Sequence, residues 1–285
     1  MPEIVSQTGR LRELLQTPRA AGASIGFVPT MGALHAGHAR LLEVARRQNQ
    51  FLAASIFVNP LQFDRPEDLD TYPRTWEQDL RLCRDCGVDL IFAPTPELLY
   101  PRQQLTFVES PSLAAHLCGR FRPGHFRGVA TVVLKLLNLV QPNRAYFGRK
   151  DAQQLAIIRR MALDLDLPVE IVPVPTVREP DGLALSSRNL RLTPPQRVLA
   201  PLLYRSLRAA AEAIDAGETS VPVIRQRALA VLSPCPAESV EYFEIVDPET
   251  LVPLDRVAAP VLIAAALWLG ATRLIDNLSW PATSD

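Results

Sequence analysis

The sequence predicts an α/β protein, with a Rossmann-like, doubly wound parallel sheet followed by a smaller α+β C-terminal domain. Apolar, β-rich segments alternate with amphipathic helical segments up to residue 175, and this alternation is typical of a parallel sheet. Beyond residue 175 the order changes to helices followed by strands, which indicates an α+β unit. The length of 285 residues fits about two domains. We therefore divide the chain into residues 1–175 and 176–285, and we expect the second domain to close over the site of the first.

The first predicted unit has the order strand, helix, strand. Residues 24–29 and 51–58 are short apolar runs of the kind that form buried strands. Between them, apolar residues recur at helical spacing, so residues 38–48 are expected to form a helix. The two strands of such a unit should be parallel.

The alternation continues to the domain boundary. The further elements predicted in the first domain are a helix at 76–86, a strand at 88–93, a helix at 129–140, a strand at 145–148, a helix at 152–163 and a strand at 169–174. The second domain is predicted to contain helices at 195–216 and 221–232 and strands at 239–246, 261–268 and 273–278. Pro173 and Pro175 mark the short hinge between the two domains.

The charge balance and the apolar runs exclude several classes of partner. Thirty basic residues balance thirty acidic ones, so no overall field favours nucleic acid or an anionic membrane. The N-terminal segment lacks the features of a signal peptide, and the longest apolar run, residues 260–270, is too short to span a bilayer. The sequence therefore predicts a cytoplasmic protein that binds neither nucleic acid nor membrane.

The four cysteines do not form a zinc-binding pattern. Cys83 and Cys86 form one CxxC pair, but Cys118 and Cys235 stand alone, so a second ligand pair is missing. The pair lies in a stretch with amphipathic helical spacing. We expect these cysteines to be core or surface residues.

The segment PTMGALHAGH, residues 29–38, leaves the first predicted strand and enters the first predicted helix. In open α/β sheets, ligands bind at the carboxyl ends of the strands, which is where this segment begins. Gly32 and Gly37 permit close approach of the backbone, and the start of the helix presents N–H groups to an anion. His35 and His38 can add hydrogen bonds to phosphate oxygens. The segment therefore predicts a phosphate site that suits a triphosphate.

Two alternatives remain open for these histidines. Both can serve only as caps of the helix that follows. A separation of three residues can also place two imidazoles on one helical face around a metal ion, although no third ligand is evident in the sequence.

The HxGH pattern of His35, Gly37 and His38 resembles the signature of the nucleotidylyl transferase superfamily. The whole segment 29–38 is similar to the pantothenate synthetase (pantoate-β-alanine ligase) family, and further strings match the same family. These are IFVNPLQF at 56–63, DLDTYPR at 68–74, RPGHFRGV at 122–129, FGRKDAQQ at 147–154 and VREPDGLALSSRN at 177–189. The resemblance covers residues 29–189, and weaker similarity at 242–254 extends it into the second domain.

Three residues depart from the family pattern. The family usually has Glu where Arg149 stands, Tyr where Ala152 stands and Met where Leu185 stands. Leu for Met conserves volume, so Leu185 can still pack against an adenine ring, whereas Arg149 adds a positive charge beside Lys150. None of the three changes removes a proposed catalytic group.

The resemblance implies an ATP-dependent ligase that works in two half-reactions. Pantoate attacks the α-phosphorus of ATP to form pantoyl adenylate and pyrophosphate, and β-alanine then attacks the acyl carbon and releases AMP. The first step requires groups that align two anions and neutralise the leaving pyrophosphate, rather than a strong base. The resemblance also implies Mg²⁺ with the triphosphate and a homodimer.

The family pattern also assigns roles to individual residues. The catalytic groups around the phosphates are His35, His38, Lys150, Ser186, Ser187 and Arg188. The ATP site further includes Pro29, Thr30, Met31, Gly32, Gly148, Asp151, Val177 and Leu185. The pocket for pantoate and β-alanine is formed by Asn59, Gln62, Tyr72, Arg122 and Gln154, and Asp79 is a candidate ligand of Mg²⁺.

Several residues also have a purely structural interpretation. Asp151 can cap a helix as well as bind a ribose. Arg122 and His125 precede the helix predicted at 129–140, so they can hold a loop instead of contacting a substrate. Lys135 lies in an apolar helical run, and we expect its side chain to extend along the helix with its amine in water. Lys135 and Lys150 are the only lysines among the thirty basic residues, and this scarcity favours a chemical role for Lys150.

Three other functions share part of these features. Another nucleotidylyl transferase could transfer a nucleotide to a phosphate instead of a carboxylate, and Gln62, Gln154 and the segment 125–128 are the features that argue against it. A regulatory nucleotide-binding module could keep the fold without catalysis. This alternative is disfavoured because the proposed catalytic side chains are all present, namely His35, His38, Lys150, Ser186 and Arg188. A truncated aminoacyl-tRNA synthetase is disfavoured by the neutral net charge and by the lack of an evident tRNA-binding extension.

Overall fold

A computed structural model describes residues 1–258 and 260–282. In this part of the chain the β-strands are β1 Glu3–Val5, β2 Ile25–Thr30, β3 Phe51–Ile56, β4 Leu90–Phe92, β5 Arg144–Gly148, β6 Glu170–Val174, β7 Val240–Val246, β8 Val261–Leu269 and β9 Thr272–Trp280. The α-helices are α1 Thr8–Ala20, α2 Ala36–Gln48, α3 Pro66–Asp70, α4 Trp76–Asp85, α5 Pro96–Leu99, α6 Pro111–Ala114, α7 Leu117–Phe121, α8 His125–Val140, α9 Ala152–Asp164, α10 Pro194–Leu199, α11 Leu202–Asp215 and α12 Val221–Val231. Short 3-10 helices lie at Pro60–Gln62, Arg149–Asp151, Ser187–Arg191 and Ala237–Ser239.

The chain divides into two compact units, each with its own sheet. The first unit contains residues 1–110, 122–149 and 157–174, and the second contains residues 111–121, 150–156 and 175–285. Two short segments of the predicted first domain, 111–121 and 150–156, therefore belong to the second unit. Residues 259 and 283–285 of the predicted second domain lie outside the described residues. Closure of one domain over the other stays a prediction.

The sheet of the first unit has six parallel strands in the order β1-β4-β3-β2-β5-β6. Successive residues of a strand point to opposite faces, and on β2 both Phe27 and Val28 are fully buried, so both faces are covered. On the Val28 face, Leu42 and Ala45 of α2 and Cys83 of α4 complete the core. The prediction of a Rossmann-like parallel sheet is confirmed.

The order of the strands reverses at β2. The chain proceeds from β2 to β3 on one side, and later places β5 on the other side of β2, with Gly26 paired to Arg144 and Phe27 to Ala145. In open α/β sheets, such a switch point opens a crevice at the carboxyl ends of the strands. The loops that follow Thr30 and Gly148 begin at this edge.

The second unit contains a three-stranded antiparallel sheet in the order β7-β8-β9. β8 is buried along most of its length, and α11 and α12 share its core through Leu207 and Ile224, which are fully buried. In this unit, helices precede an antiparallel sheet. The prediction of a smaller α+β fold in the C-terminal part is therefore confirmed.

Several boundaries differ from the prediction. The strand β1 and the helix α1 were not predicted: β1 has three residues, of which only Val5 is buried, and α1 contains Pro18. The helix predicted at 195–216 is divided into α10 and α11, because Pro201 has no N–H to continue the hydrogen bonding. Helix α8 begins at His125 rather than at residue 129, directly after Gly124 in a left-handed conformation.

In the part of the chain that the structure describes, no helix is both long enough and apolar enough to cross a membrane.

Candidate active site

The loop between β2 and α2 is held by one buried carboxylate. Asp79 of α4 is 2% exposed, and its two oxygens accept the N–H groups of Ala33 at 3.0 Å and of Leu34 at 2.8 Å. The Thr75 hydroxyl also donates to Asp79, at 2.9 Å. Gly32 has a φ of +81°, which favours glycine, and a Cβ there would lie 3.0 Å from an Asp79 oxygen. Asp79 therefore positions the segment that leads to the two histidines.

His35 and His38 form a capping box at the start of α2. The Nδ1 atom of His35 accepts the N–H of Gly37 at 3.1 Å, and the Nδ1 atom of His38 accepts the N–H of His35 at 3.2 Å. A neutral imidazole whose Nδ1 accepts must carry its proton on Nε2. Capping and phosphate binding are therefore compatible, because capping sets both rings in the tautomer that donates from Nε2.

The predicted substrate residues Asn59 and Gln62 are buried and bonded to each other. Asn59 Nδ2 donates to Gln62 Oε1 at 3.0 Å, and Gln62 Nε2 lies 2.9 Å from the sulfur of Met31. Asn59 and Gln62 are 1% and 8% exposed, so amides in these positions need partners. The structure thus brings the loop after β3 next to Met31 in the loop after β2.

Arg122 and His125 hold the backbone of Gln62. His125 Nδ1 donates to the Gln62 carbonyl at 2.7 Å, and the Nη2 atom of Arg122 lies 3.4 Å from the same oxygen. Arg122 also pairs with Asp64 at 2.8 Å. Burial raises the pKa of Asp64, but the guanidinium of Arg122 outweighs this effect, so the pKa lies below its ordinary value. The Nε2 atom of His125 faces the guanidinium of Arg122 at 3.3 Å and therefore acts as an acceptor. These contacts give both residues a role in holding this loop.

Helix α8 packs very closely on the 3-10 helix at Pro60–Gln62. A Cβ on Gly128 would lie 2.1 Å from the carbonyl oxygen of Leu61 and 2.7 Å from the N atom of Gln62. The Gly128 carbonyl accepts a hydrogen bond from Asn59 Nδ2 at 3.1 Å. Only a glycine at this position permits the approach that places Asn59 and Gln62.

In the second unit, Lys150 lies at the end of the segment that follows β5. Its side chain is 17% exposed, and its Nζ atom lies 3.5 Å from Asp151. Asn277 of β9 donates to the Lys150 carbonyl at 2.8 Å, which attaches this segment to the small sheet. Gln153 of the same segment is buried and donates to the carbonyls of Leu113 and His116, whereas the predicted ligand Gln154 is half-buried.

The segment 177–189 forms a short hairpin followed by a 3-10 helix. Leu185 donates its N–H to the Val177 carbonyl at 2.9 Å, so these two residues of the predicted ATP site are paired. Ser186 caps the 3-10 helix through the N–H of Arg188, at 3.3 Å. Ser187 and Arg188 are the first residues of that helix.

An ion pair that the sequence did not indicate supports this hairpin. Arg178 makes two hydrogen bonds to Asp276, at 2.5 and 2.9 Å, and its guanidinium lies 3.9 Å from the ring centroid of Tyr204. Burial raises the pKa of Asp276, and the hydrogen bonds from Arg178 oppose that rise. Arg178 and Asp276 are 98 residues apart, so no local pattern could reveal the pair.

The remaining predicted site residues lie at the ends of strands, in a ring contact or at the start of helices. Pro29 and Thr30 end β2, and Gly148 ends β5. Tyr72 packs edge to face on Phe63, with ring centroids 5.7 Å apart. Three residues depart from the family pattern. Arg149 is the first residue of the 3-10 helix after β5, Ala152 is the first residue of α9, and Leu185 is half-buried.

Within residues 1–258 and 260–282, no group of three or more His, Cys, Asp or Glu is arranged to hold a metal ion. Burial raises the pKa of the Cys83 thiol to about 12, so the thiolate form is disfavoured in this core helix.

A parallel sheet with a histidine-capped helix at its switch point is typical of nucleotide-binding proteins of the nucleotidylyl transferase class. The model of the family described as pantoate-beta-alanine ligase matches residues 3–279. The chain belongs to this family.

Solved structures and curated relatives agree with this assignment. A pantothenate synthetase from Thermus thermophilus superimposes with a TM-score of 0.92 at 50% identity, covering 97% of this chain and 98% of that one. A pantoate-beta-alanine ligase from Francisella tularensis, complexed with "Beta-gamma ATP" and beta-alanine, gives a TM-score of 0.80 at 33% identity, with 98% and 97% coverage. A bifunctional pantoate ligase/cytidylate kinase from Synechococcus elongatus is 56% identical over 90% of this chain, which spans 49% of that protein.

Proposed function

We propose that this protein condenses pantoate with β-alanine to form pantothenate, using ATP and releasing pyrophosphate and AMP. The observation that carries the proposal is the family match over residues 3–279, together with the complete set of polar side chains that the resemblance assigns to the reaction. The complex of the Francisella relative with a nucleotide and beta-alanine supports the same substrates.

In the first half-reaction, a carboxylate oxygen of pantoate attacks the α-phosphorus of ATP and the bond to the β-phosphate oxygen breaks. The carboxylate is already charged, so no base is needed, and the barrier arises from bringing two anions together. His35 and His38 carry the proton on Nε2, which makes them neutral donors for phosphate oxygens. Lys150, Ser186, Ser187 and Arg188 are the proposed donors and cations for the leaving pyrophosphate.

In the second half-reaction, the amine of β-alanine attacks the acyl carbon of pantoyl adenylate, loses a proton and displaces AMP. By the family resemblance, we assign the pantoate contacts to Gln62 and Gln154, and we include Asn59, Tyr72 and Arg122 among the substrate-binding residues. Neutral amides can orient a carboxylate and hydroxyl groups without adding a fixed charge. Asp151, Val177 and Leu185 are the proposed contacts to the adenosine.

Mg²⁺ is proposed as a companion of the triphosphate, whose charge it would neutralise. Mg²⁺ commonly uses phosphate oxygens and water in place of an all-protein cage, so it can be bound mainly through the triphosphate itself. Asp79 as a ligand stays a prediction. Because its oxygens already accept three hydrogen bonds from Ala33, Leu34 and Thr75, we favour a role in supporting the loop between β2 and α2.

The test is turnover of ATP, pantoate and β-alanine by the purified protein. Pantothenate, AMP and pyrophosphate should form in equal amounts, and pyrophosphate release should require pantoate. The variant His38→Ala should lower kcat by about a hundredfold or more, while His116→Ala, outside this loop, serves as the matched control. Release of pyrophosphate only with a phosphorylated acceptor would identify a different nucleotidylyl transferase. Binding of ATP without any hydroxamate from pantoate and hydroxylamine would identify a regulatory module.

We further propose a cytoplasmic homodimer. Two-fold dimers are the commonest assemblies of soluble enzymes, and the family resemblance favours this state.

A further inference from the structure

We propose that Tyr100 and Lys135 are positioning residues for the pantoate pocket, and that they act through Asn59 on the side-chain amide of Gln62. The inference rests on the proposed function, because it takes Gln62 as a pantoate contact. Neither Tyr100 nor Lys135 belongs to the residues assigned above by resemblance. All four residues lie in the first unit.

The orientation of the Asn59 amide is determined by groups that have a single hydrogen-bonding role. The Gly128 carbonyl can only accept, so the atom that faces it at 3.1 Å must be Nδ2. The N–H of Leu61 can only donate, so the atom that faces it at 3.3 Å must be Oδ1. The Tyr100 hydroxyl lies 2.9 Å from this Oδ1 and therefore donates its proton to it.

The orientation of Gln62 follows from that of Asn59. The second proton of Asn59 Nδ2 is donated to Gln62 Oε1 at 3.0 Å, so Gln62 Nε2 must point the other way, toward the sulfur of Met31. A thioether is a weak acceptor, and a substrate oxygen in its place would form a stronger hydrogen bond. The network therefore presents Gln62 as a donor, and its substrate partner should be an acceptor such as a carboxylate or hydroxyl oxygen of pantoate.

The Tyr100 hydroxyl begins a chain of three donors in one direction. Its proton goes to Asn59, Asn59 donates to Gln62, and Gln62 donates onward. Hydrogen bonds in such a chain polarise one another, so the first donor affects the strength of the last. Burial raises the pKa of the Tyr100 phenol, which keeps it protonated and able to donate.

Lys135 supplies a positive charge beside this phenol. Its Nζ atom lies 4.9 Å from the centroid of the Tyr100 ring, within the range of a cation–π interaction. Lys135 is half-buried, and burial lowers the pKa of its amine. A cation beside the ring withdraws electron density from the phenol and strengthens its O–H as a donor. The aromatic ring is therefore the group through which the charge of Lys135 acts on the network.

The experiment compares steady-state kinetics of the full-length wild type with three variants. Tyr100→Phe removes the first donor and keeps the ring, and Lys135→Met removes the charge. We expect Tyr100→Phe to raise the KM for pantoate about fivefold to thirtyfold, with the KM for ATP within twofold of wild type. Lys135→Met should change the same constant by about twofold to tenfold, and Lys135→Arg should restore it, since a guanidinium also binds an aromatic face.

Tyr146→Phe is the matched control. Tyr146 is fully buried in the same unit, and its hydroxyl bonds to Gln48 and Asn49 instead of to the network around Gln62. It should lose stability without a change in the KM for pantoate. An equal rise in the KM for pantoate in Tyr100→Phe and Tyr146→Phe would show a general structural effect and overturn the proposal.

A double-mutant cycle with Gln62→Ala tests whether Tyr100 acts through Gln62. In the Gln62→Ala background, Tyr100→Phe should change the KM for pantoate less than twofold. Full additivity would overturn the inference and leave the proposed function intact. An unchanged KM for pantoate in Gln62→Ala alone would also overturn it, again with the ligase activity standing. Absence of wild-type turnover would overturn both.

Discussion

At the scale of single residues, His35 and His38 use Nδ1 to start α2 and carry the ring proton on Nε2. A helix cap and a phosphate donor can be separated experimentally, because the two roles belong to different atoms of the ring. The replacement of choice is a residue that caps well and has no group where Nε2 lies.

His35→Asn meets this requirement, since asparagine is among the best N-cap residues. We expect the free energy of unfolding in urea to stay within about 0.5 kcal/mol of wild type, while kcat falls about a hundredfold. His35→Ala, the comparison variant, loses the cap as well and should cost about 1 kcal/mol in stability. Full activity in His35→Asn would show that this histidine is only a cap.

Asp79 allows a second residue-scale prediction, because its role as a loop support and its role as a metal ligand have different consequences. Asp79→Asn keeps one acceptor oxygen and turns an NH₂ group toward backbone N–H donors. We expect a loss of about 2 kcal/mol in stability and a raised KM for ATP. The Mg²⁺ concentration for half-maximal activity, measured at saturating ATP, should not change. A large rise in that concentration would instead identify Asp79 as a metal ligand.

At the scale of secondary-structure elements, the contact between α8 and the 3-10 helix at Pro60–Gln62 depends on the absence of a side chain at Gly128. Gly128→Ala would place a methyl group 2.1 Å from the Leu61 carbonyl oxygen, so one element must shift. We expect a loss of about 3 kcal/mol in urea unfolding, together with a raised KM for pantoate.

Gly9→Ala is the matched control for that substitution. Gly9 lies in the exposed part of α1, and a Cβ there meets nothing within 4 Å. Alanine is the better helix former, so the variant should be about 0.5 to 1 kcal/mol more stable than wild type. Similar losses in both variants would show that close packing at Gly128 is not the cause.

The elements that were predicted correctly have strong periodic patterns, and the missed ones lack them. β2, β3 and α2 follow from apolar runs and helical spacing, whereas β1 has one buried residue and α1 has a proline in its last turn. Helix α8 begins before its predicted start at residue 129, because Gly124 and Gly128 on either side of His125 are residues typical of loops. Pro201 marks the break between α10 and α11, which the single helix predicted at 195–216 does not include.

The same division applies to the candidate site. Motifs within a single segment, such as residues 29–38 and 177–189, are recognisable as site segments in the sequence itself. Interactions between distant segments are not: Tyr100 reaches Asn59 across 41 residues, and Arg178 reaches Asp276 across 98. The scarcity of lysine was a visible signal for Lys135, but only the structure shows the aromatic ring beside its ammonium group.

At the scale of the whole molecule, the proposed homodimer gives a direct prediction. The chain has a mass of 31.5 kDa, and light scattering after size-exclusion chromatography should report twice that value at micromolar concentrations. A mass of one chain at every concentration tested would contradict the dimer. The ligase proposal would remain, because each chain carries the complete set of assigned residues.

The histidines of the first unit also provide an internal spectroscopic reference. His35 and His38 carry the proton on Nε2, whereas His125 donates from Nδ1 to the Gln62 carbonyl and accepts at Nε2. Long-range nitrogen–proton NMR spectra distinguish these two tautomers through the different shifts of protonated and unprotonated ring nitrogens. A titration with nucleotide should therefore perturb the Nε2–H signals of His35 and His38 and leave the signals of His125 unchanged. Ligand binding can then be followed at the phosphate donors without any substitution.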